Sequence, residues 1–128
     1  MTDNQNPLSP HLQIYRWHIS SLLSITHRIA GVINLFSLIL IFFWLLVLSL
    51  GESNYELFLL MINSFIGKFI LIGFTWSMIF HLLSGIRHLV WDFGYGFEIK
   101  TANISGIIVI ISSLILTIIF WLLGRGII

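Results

Sequence analysis

This sequence predicts an all-α integral membrane protein with three transmembrane helices, and three observations carry that prediction. Of its 128 residues, 58% are hydrophobic and 9% are charged, with a mean hydropathy of +1.03; an ordinary soluble domain carries about a quarter charged residues. Three long stretches, Ala30 to Leu50, Phe69 to Ile86 and Ile104 to Gly124, contain no Asp, Glu, Lys or Arg. At 1.5 Å per residue, about 20 such residues cross a hydrocarbon core about 30 Å thick. Between the runs lie short polar stretches, Gly51-Glu52-Ser53-Asn54 and Asp92 to Asn103. Lipid offers no partner to backbone N–H and C=O groups, so each run must satisfy its own as a helix. The expected organisation is a single membrane domain, 1–128, with an interfacial N-terminal segment 1–20 and helices over roughly 21–50, 60–91 and 104–126.

Taken in order, residues 1–17 are polar, with Pro7 and Pro10 flanking Leu8-Ser9. They lack the Arg-rich, acid-poor character of a transit peptide and are too polar for a secretory signal, so this end is expected to be retained. His11 to His18 carries Tyr15 and Trp17 and reads as an extended stretch at headgroup level, where such aromatics settle. Ser20 and Ser21 offer caps for the first helix. Gly51 to Asn54 reads as an acidic turn, followed by a second helix entered through an interfacial segment and Lys68. Asp92 to Asn103, with Gly94 and Gly96, reads as a loop, and Arg125 closes the third helix. A net charge of +1 with no basic patch gives no reason to expect nucleic acid. The absence of cysteine excludes disulfides, cysteine-held iron–sulfur clusters and covalent haem attachment within this chain.

The stretch His81 to Asp92 begins inside an apolar run and ends in polar residues. Helical spacing places His81, Gly85, His88 and Asp92 along one stripe. An imidazole at membrane depth is costly unless satisfied, which marks it as a site. Gly85, one turn from His81, would let a flat, bulky group approach the backbone, so His81 is a candidate non-covalent haem ligand. The plainer reading is a hydrogen bond to a neighbouring helix with Gly85 as a packing contact, and the stripe alone leaves both open. On the first helix Ser24, His27, Arg28 and Gly31 share one face. They suit a carbonyl or carboxylate, Arg above all for the latter, or else ordinary boundary residues reaching lipid phosphates. Asp92 closes the stripe and could pair with Arg87 or His88, the plainest role for such a residue, and Trp91, Tyr95 and Phe97 read most simply as an aromatic belt. Asn34, Ser37, Asn63, Ser77, Ser112 and Ser113 are helix-contact candidates.

Three segments then carry a family resemblance. Pro7-Leu8-Ser9-Pro10-His11-Leu12-Gln13-Ile14-Tyr15, Ser24-Ile25-Thr26-His27-Arg28-Ile29-Ala30-Gly31 and His81 through Gly94 resemble, in order, the larger-type cytochrome b membrane anchor of succinate dehydrogenase, respiratory complex II. Two positions depart from the pattern: Asn6 stands where the family usually has Arg, and Ala30 where it usually has Ser or Thr. The resemblance implies a subunit that does not itself oxidise succinate. Its implied partners are a flavoprotein subunit, an iron–sulfur subunit and a second small membrane anchor, and its implied setting is the bacterial cytoplasmic membrane. A haem b shared with the second anchor is implied as cofactor and ubiquinone as substrate. Carried over by motif, His81 is the axial ligand of the haem iron, His27 and Arg28 lie near the propionates, and Ser24 and Arg28 line the quinone site. Asp92 stands where a proton or water path would open. A fumarate reductase anchor using a low-potential quinol, and a haem-free structural anchor, are the alternatives. Arg16, Arg28, Arg87 and Lys100 on one side against Lys68 and Arg125 on the other place the N-terminus on the cytoplasmic side.

Overall fold

The computed structural model describes residues 17–127, so the stretch expected to be extended is outside the described residues for all but its last two positions. Helix α1 spans Ile19–Ser49, α2 Glu52–Asn63, α3 Phe65–Asp92 and α4 Ile99–Ile127. Three of them, α1, α3 and α4, are long and apolar enough to cross a membrane.

α1 starts earlier than its serines suggest. His18 takes the extended cap conformation without a side-chain cap, and its carbonyl accepts from the backbone N–H groups of Ser21 and Leu22 at 3.0 and 3.1 Å. Ser20 and Ser21 therefore lie inside the first turn. The reason is packing: Ile19 must be helical to lie against the core.

The acidic turn contracts to Gly51, whose φ of +98° is a left-handed conformation that glycine adopts without steric cost. Glu52 already belongs to α2, where a carboxylate favours the positive end of the helix dipole. The Asn54 side chain donates to the Leu50 carbonyl at 3.0 Å, satisfying a group left over at the end of α1. Phe58 is the buried residue of α2 and meets Phe43 of α1.

The helix expected over 60–91 is broken at Ser64. That residue is extended, and its hydroxyl accepts from the Gly67 N–H at 3.0 Å, the geometry of an N-cap. Gly67 packs on the Met61 and Ile62 carbonyls so closely that a β-carbon there would collide with both. The second loop also contracts, to 93–98, with Gly94 and Gly96 at positive φ.

α1, α3 and α4 meet around Leu23, Ala30, Phe80 and Val109, with Ile19, Trp76, Leu83 and Ile110 packed against them. The most buried positions beside these are small: Ser77, Ser84 and Ser113. Lipid tails are as apolar as leucine, so spans associate through close packing and hydrogen bonds, both of which small residues permit. Gly106 of α4 leaves room for Leu23, whose side chain a β-carbon would strike. The Ser77 hydroxyl lies 3.0 Å from both the Ala30 carbonyl and the Asn34 side-chain oxygen, tying α3 to α1. Ser37 and Ser113 bond instead to carbonyls of their own helices.

Candidate functional site

Three imidazoles converge where α1 crosses α3. His27 and His81 stack with ring centroids 4.0 Å apart and planes within 8°, and His27 and His88 lie 5.2 Å apart at 30°. His81 and His88 come from one face of α3, two turns apart, and His27 enters between them from α1. The Nδ1 atom of His81 donates to the His27 carbonyl at 3.1 Å. A carbonyl only accepts, so this bond places the proton on Nδ1 and leaves the lone pair on Nε2. His88 Nδ1 donates in the same way to the Ser84 carbonyl at 2.7 Å. Inside the cluster, His27 Nδ1 is buried with no hydrogen-bond partner.

Two glycines border this region differently. A β-carbon on Gly31 would stand 3.2 Å from His81 Cε1, tighter than ordinary van der Waals contact, whereas one on Gly85 would meet nothing within 4 Å. The glycine that makes room for the His81 ring within this chain is thus Gly31. The space beside Gly85 is open.

Arg87 corrects the expected pairing with Asp92. It is only 7% exposed. Its Nε donates to Ser105 Oγ at 3.0 Å, its Nη2 to the Ala102 carbonyl at 2.8 Å, and its guanidinium lies 4.0 Å from the Trp91 ring centroid. Trp91 in turn donates to the Gly96 carbonyl at 3.2 Å and stacks on Phe97. Neutral oxygens and an aromatic face surround the cation, fixing the start of α4 against the end of α3. Asp92 is exposed, and the imidazole of His88 is engaged by Ser84. Trp91 and Phe97, expected as belt residues, are partners in this knot; Tyr95 is exposed.

The remaining candidates lie on α1 on either side of His27. Ser24 is half-buried and Arg28 exposed, on neighbouring turns of one face. Neither makes a side-chain hydrogen bond to another described residue, which leaves both available to groups outside the chain. Ser84 and Ser105 belong to this end without any signal in the sequence that marks them. Gly31 is legible on the face of His27, one turn further on, but its partner on α3 is not.

At the opposite end a groove of about 690 Å³ opens between α3 and α4, lined by Asn63, Lys68, Ile72, Thr75, Phe120, Trp121 and Gly124. Asn63, expected at a helix contact, is exposed on its rim.

Fold and site together define a helical membrane protein with three candidate spans and an imidazole cluster between the first and second of them. The chain belongs to the succinate dehydrogenase/fumarate reductase transmembrane subunit family, matching it over residues 2–120. It is 48% identical to the succinate dehydrogenase cytochrome b556 subunit of Rickettsia prowazekii (strain Madrid E), over 92% of each chain. It is 38% identical to the cytochrome b556 subunit of Paracoccus denitrificans, over 88% of this chain and 86% of that one. With the mitochondrial cytochrome b560 subunit of Mus musculus it shares 33% identity over 86% of this chain and 66% of the relative.

Proposed function

We propose that this chain is the cytochrome b membrane anchor of a succinate:ubiquinone oxidoreductase in a bacterial cytoplasmic membrane. It joins a second small anchor to the iron–sulfur and flavoprotein subunits, acts as one membrane domain, and does not itself oxidise succinate. The observation that carries the reading is the His81 ring: its Nδ1 proton is engaged by the His27 carbonyl, so its Nε2 lone pair is the one available to a metal. Metal-bound histidines characteristically hold the other ring nitrogen this way.

The donor set suits a haem. His81 supplies a neutral imidazole, the open space at Gly85 gives clearance, and His27, its Nδ1 enclosed, has Nε2 left for a polar group outside the chain. His81 would hold the iron, and His27 and Arg28 would face the propionates, whose charge a bilayer penalises unless paired. When bound, the haem supplies a one-electron carrier.

Ubiquinone reduction takes up two electrons and two protons, and its carbonyl oxygens gain negative charge on the way. A Ser24 hydroxyl and an Arg28 guanidinium one turn apart would stabilise that charge more than the neutral quinone, which is the condition for lowering a barrier. Exposed Asp92, at the same end, would hand protons or ordered water to the site. The N-terminus and the 93–98 connection face the cytoplasm in this reading, following four basic residues against two.

The test is purification of the chain from its native membrane. Co-purifying flavoprotein and iron–sulfur subunits and a reduced-minus-oxidised α-band of b type are expected; absence of the band from an intact complex would leave a structural anchor. Cysteine labelling from outside intact cells checks orientation: reaction at position 53 and none at 98 is expected, and the reverse overturns it.

A further inference from the structure

We infer that α1 forms a seat that fixes the His81 imidazole, with Gly31 and His27 as positioning residues for it. Two contacts from one helix act on one ring, and a glycine of the same helix leaves its edge room. The His27 carbonyl takes the Nδ1 proton at 3.1 Å, which sets the tautomer and the direction in which Nε2 points. The His27 imidazole covers one face at 4.0 Å and nearly parallel, which limits tilting of the ring. Gly31, one turn further along α1, lies under the ring edge, where even a methyl group would come 3.2 Å from Cε1. A lone hydrogen bond lets an imidazole swing about its Cβ–Cγ bond. A bond and a stacked face together restrict that swing, and Gly31 provides the clearance in which the held ring sits.

The anchoring is itself stiff. Ser77, one turn before His81 on α3, holds the Ala30 carbonyl next to Gly31 at 3.0 Å and is wholly buried. Ala30 and Phe80 are buried in the same contact, so separating the two backbones to relieve a clash at Gly31 would disturb that packing. The His81 ring is the group that a β-carbon there would meet. The spacing His27-x-x-x-Gly31 is therefore a device for a ring on another helix, which no inspection of α1 alone would show.

The inference rests on the proposed ligand role of His81, and the experiment separates the two. Whole complexes are prepared with Gly31→Ala, Gly73→Ala and His81→Leu. Gly73 is a glycine of α3 around whose missing β-carbon nothing lies within 4 Å, so it controls for glycine replacement as such. The readouts are haem content, the g-values of the ferric signal, which follow axial-ring orientation, and dye-linked succinate oxidation as a measure of assembly. Gly31→Ala is expected to shift the g-values with dye-linked activity retained, Gly73→Ala to match the parent, and His81→Leu to lose or replace the signal. A parental signal in Gly31→Ala beside a lost one in His81→Leu overturns the seat and leaves the ligand assignment standing. A parental signal in His81→Leu overturns the ligand assignment and the seat with it. Should Gly31→Ala fail to assemble, His27→Phe and His27→Leu decide, since both keep the carbonyl and only Phe keeps a flat face. A larger g-shift for Leu than for Phe supports the seat, and equal signals overturn it.

Discussion

The two ends of the bundle solve the same problem in opposite ways. At the histidine end, two key polar groups on α3 are met by other helices, His81 by the His27 carbonyl and Arg87 by Ser105 and Ala102, while His88 bonds within its own helix. At the α2 end most are met locally, the exception being Trp121, whose indole N–H donates to Thr75 Oγ1 across α4 and α3 at 3.4 Å. Ser64 caps its own helix, Asn54 caps the helix before it, and Ser49 bonds back to Leu46 at 2.6 Å. Between α3 and α4 this end opens into the groove beside Lys68. Interhelical bonds fix relative positions of helices to within the tolerance of a bond, which a ligand site needs. Local bonds shape each chain reversal and leave the spacing between spans largely to packing, with one long interhelical bond from Trp121 to Thr75.

Breaking the contrast should have its largest effect at His81. Replacing it with leucine is expected to abolish or grossly alter the haem spectrum. The same change at His88 should alter it far less, because His88 is one turn from the polar end whereas His81 is about 16 Å deeper than Asp92 by helical rise. Unchanged spectra and haem content in both variants would remove His81 as a ligand.

Gly67→Ala should be the most damaging change at the α2 end. The added methyl collides with two backbone carbonyls, which move only if the α2–α3 corner shifts, and a loss of about 1–3 kcal/mol is expected, the range for overpacking. Thermal melting of the purified complex measures it. A parental melting temperature would show that the α2–α3 corner can relax.

Arg87→Gln tests the knot at the histidine end. Losing a buried charged donor with two hydrogen bonds and an aromatic face should cost about 1.5–3 kcal/mol. Limited proteolysis of the 93–98 connection should accelerate along with the drop in melting temperature. Unchanged proteolysis would mean that Trp91 and Phe97 hold the connection without it.

Ser24→Ala should affect turnover and nothing else. Loss of one donor to a developing oxyanion is expected to lower quinone-linked succinate oxidation by about 1–3 kcal/mol of barrier. Oxidation with an artificial acceptor upstream of the membrane should stay near normal. Equal activity with both acceptors would take Ser24 out of the site, and an equal fall in both would indicate lost assembly. The smallest effect is expected for Lys68→Gln, an exposed side chain at the end that holds no imidazole. Neither haem spectrum nor melting temperature should move, and a change in the spectrum would mean that the two ends are coupled.

The sequence by itself determined the spans, because transfer of backbone into lipid depends on composition over about 20 residues and on no neighbour. It also determined that His81, His88 and His27 lie on definite faces, since helical spacing is a local property. The turn at Gly51 was legible, but the break at Ser64 was harder to see, as Ser64 stands in a sequence as apolar as a continuous helix would be, and only its cap bond to Gly67 ends one helix and starts another. Asp92 beside Arg87 looked like an ion pair because charge proximity along a chain is legible, whereas Ser105 and Ala102, 18 and 15 residues away, are not. Which glycine faces His81 was likewise decided by tertiary structure. Gly85 is one turn away on the same helix, but Gly31 comes to the ring only because Ala30, Ser77 and Phe80 set how closely and at what register α1 and α3 cross. Helical periodicity gives each residue a direction, and only the packing of small residues at the crossing gives that direction a partner.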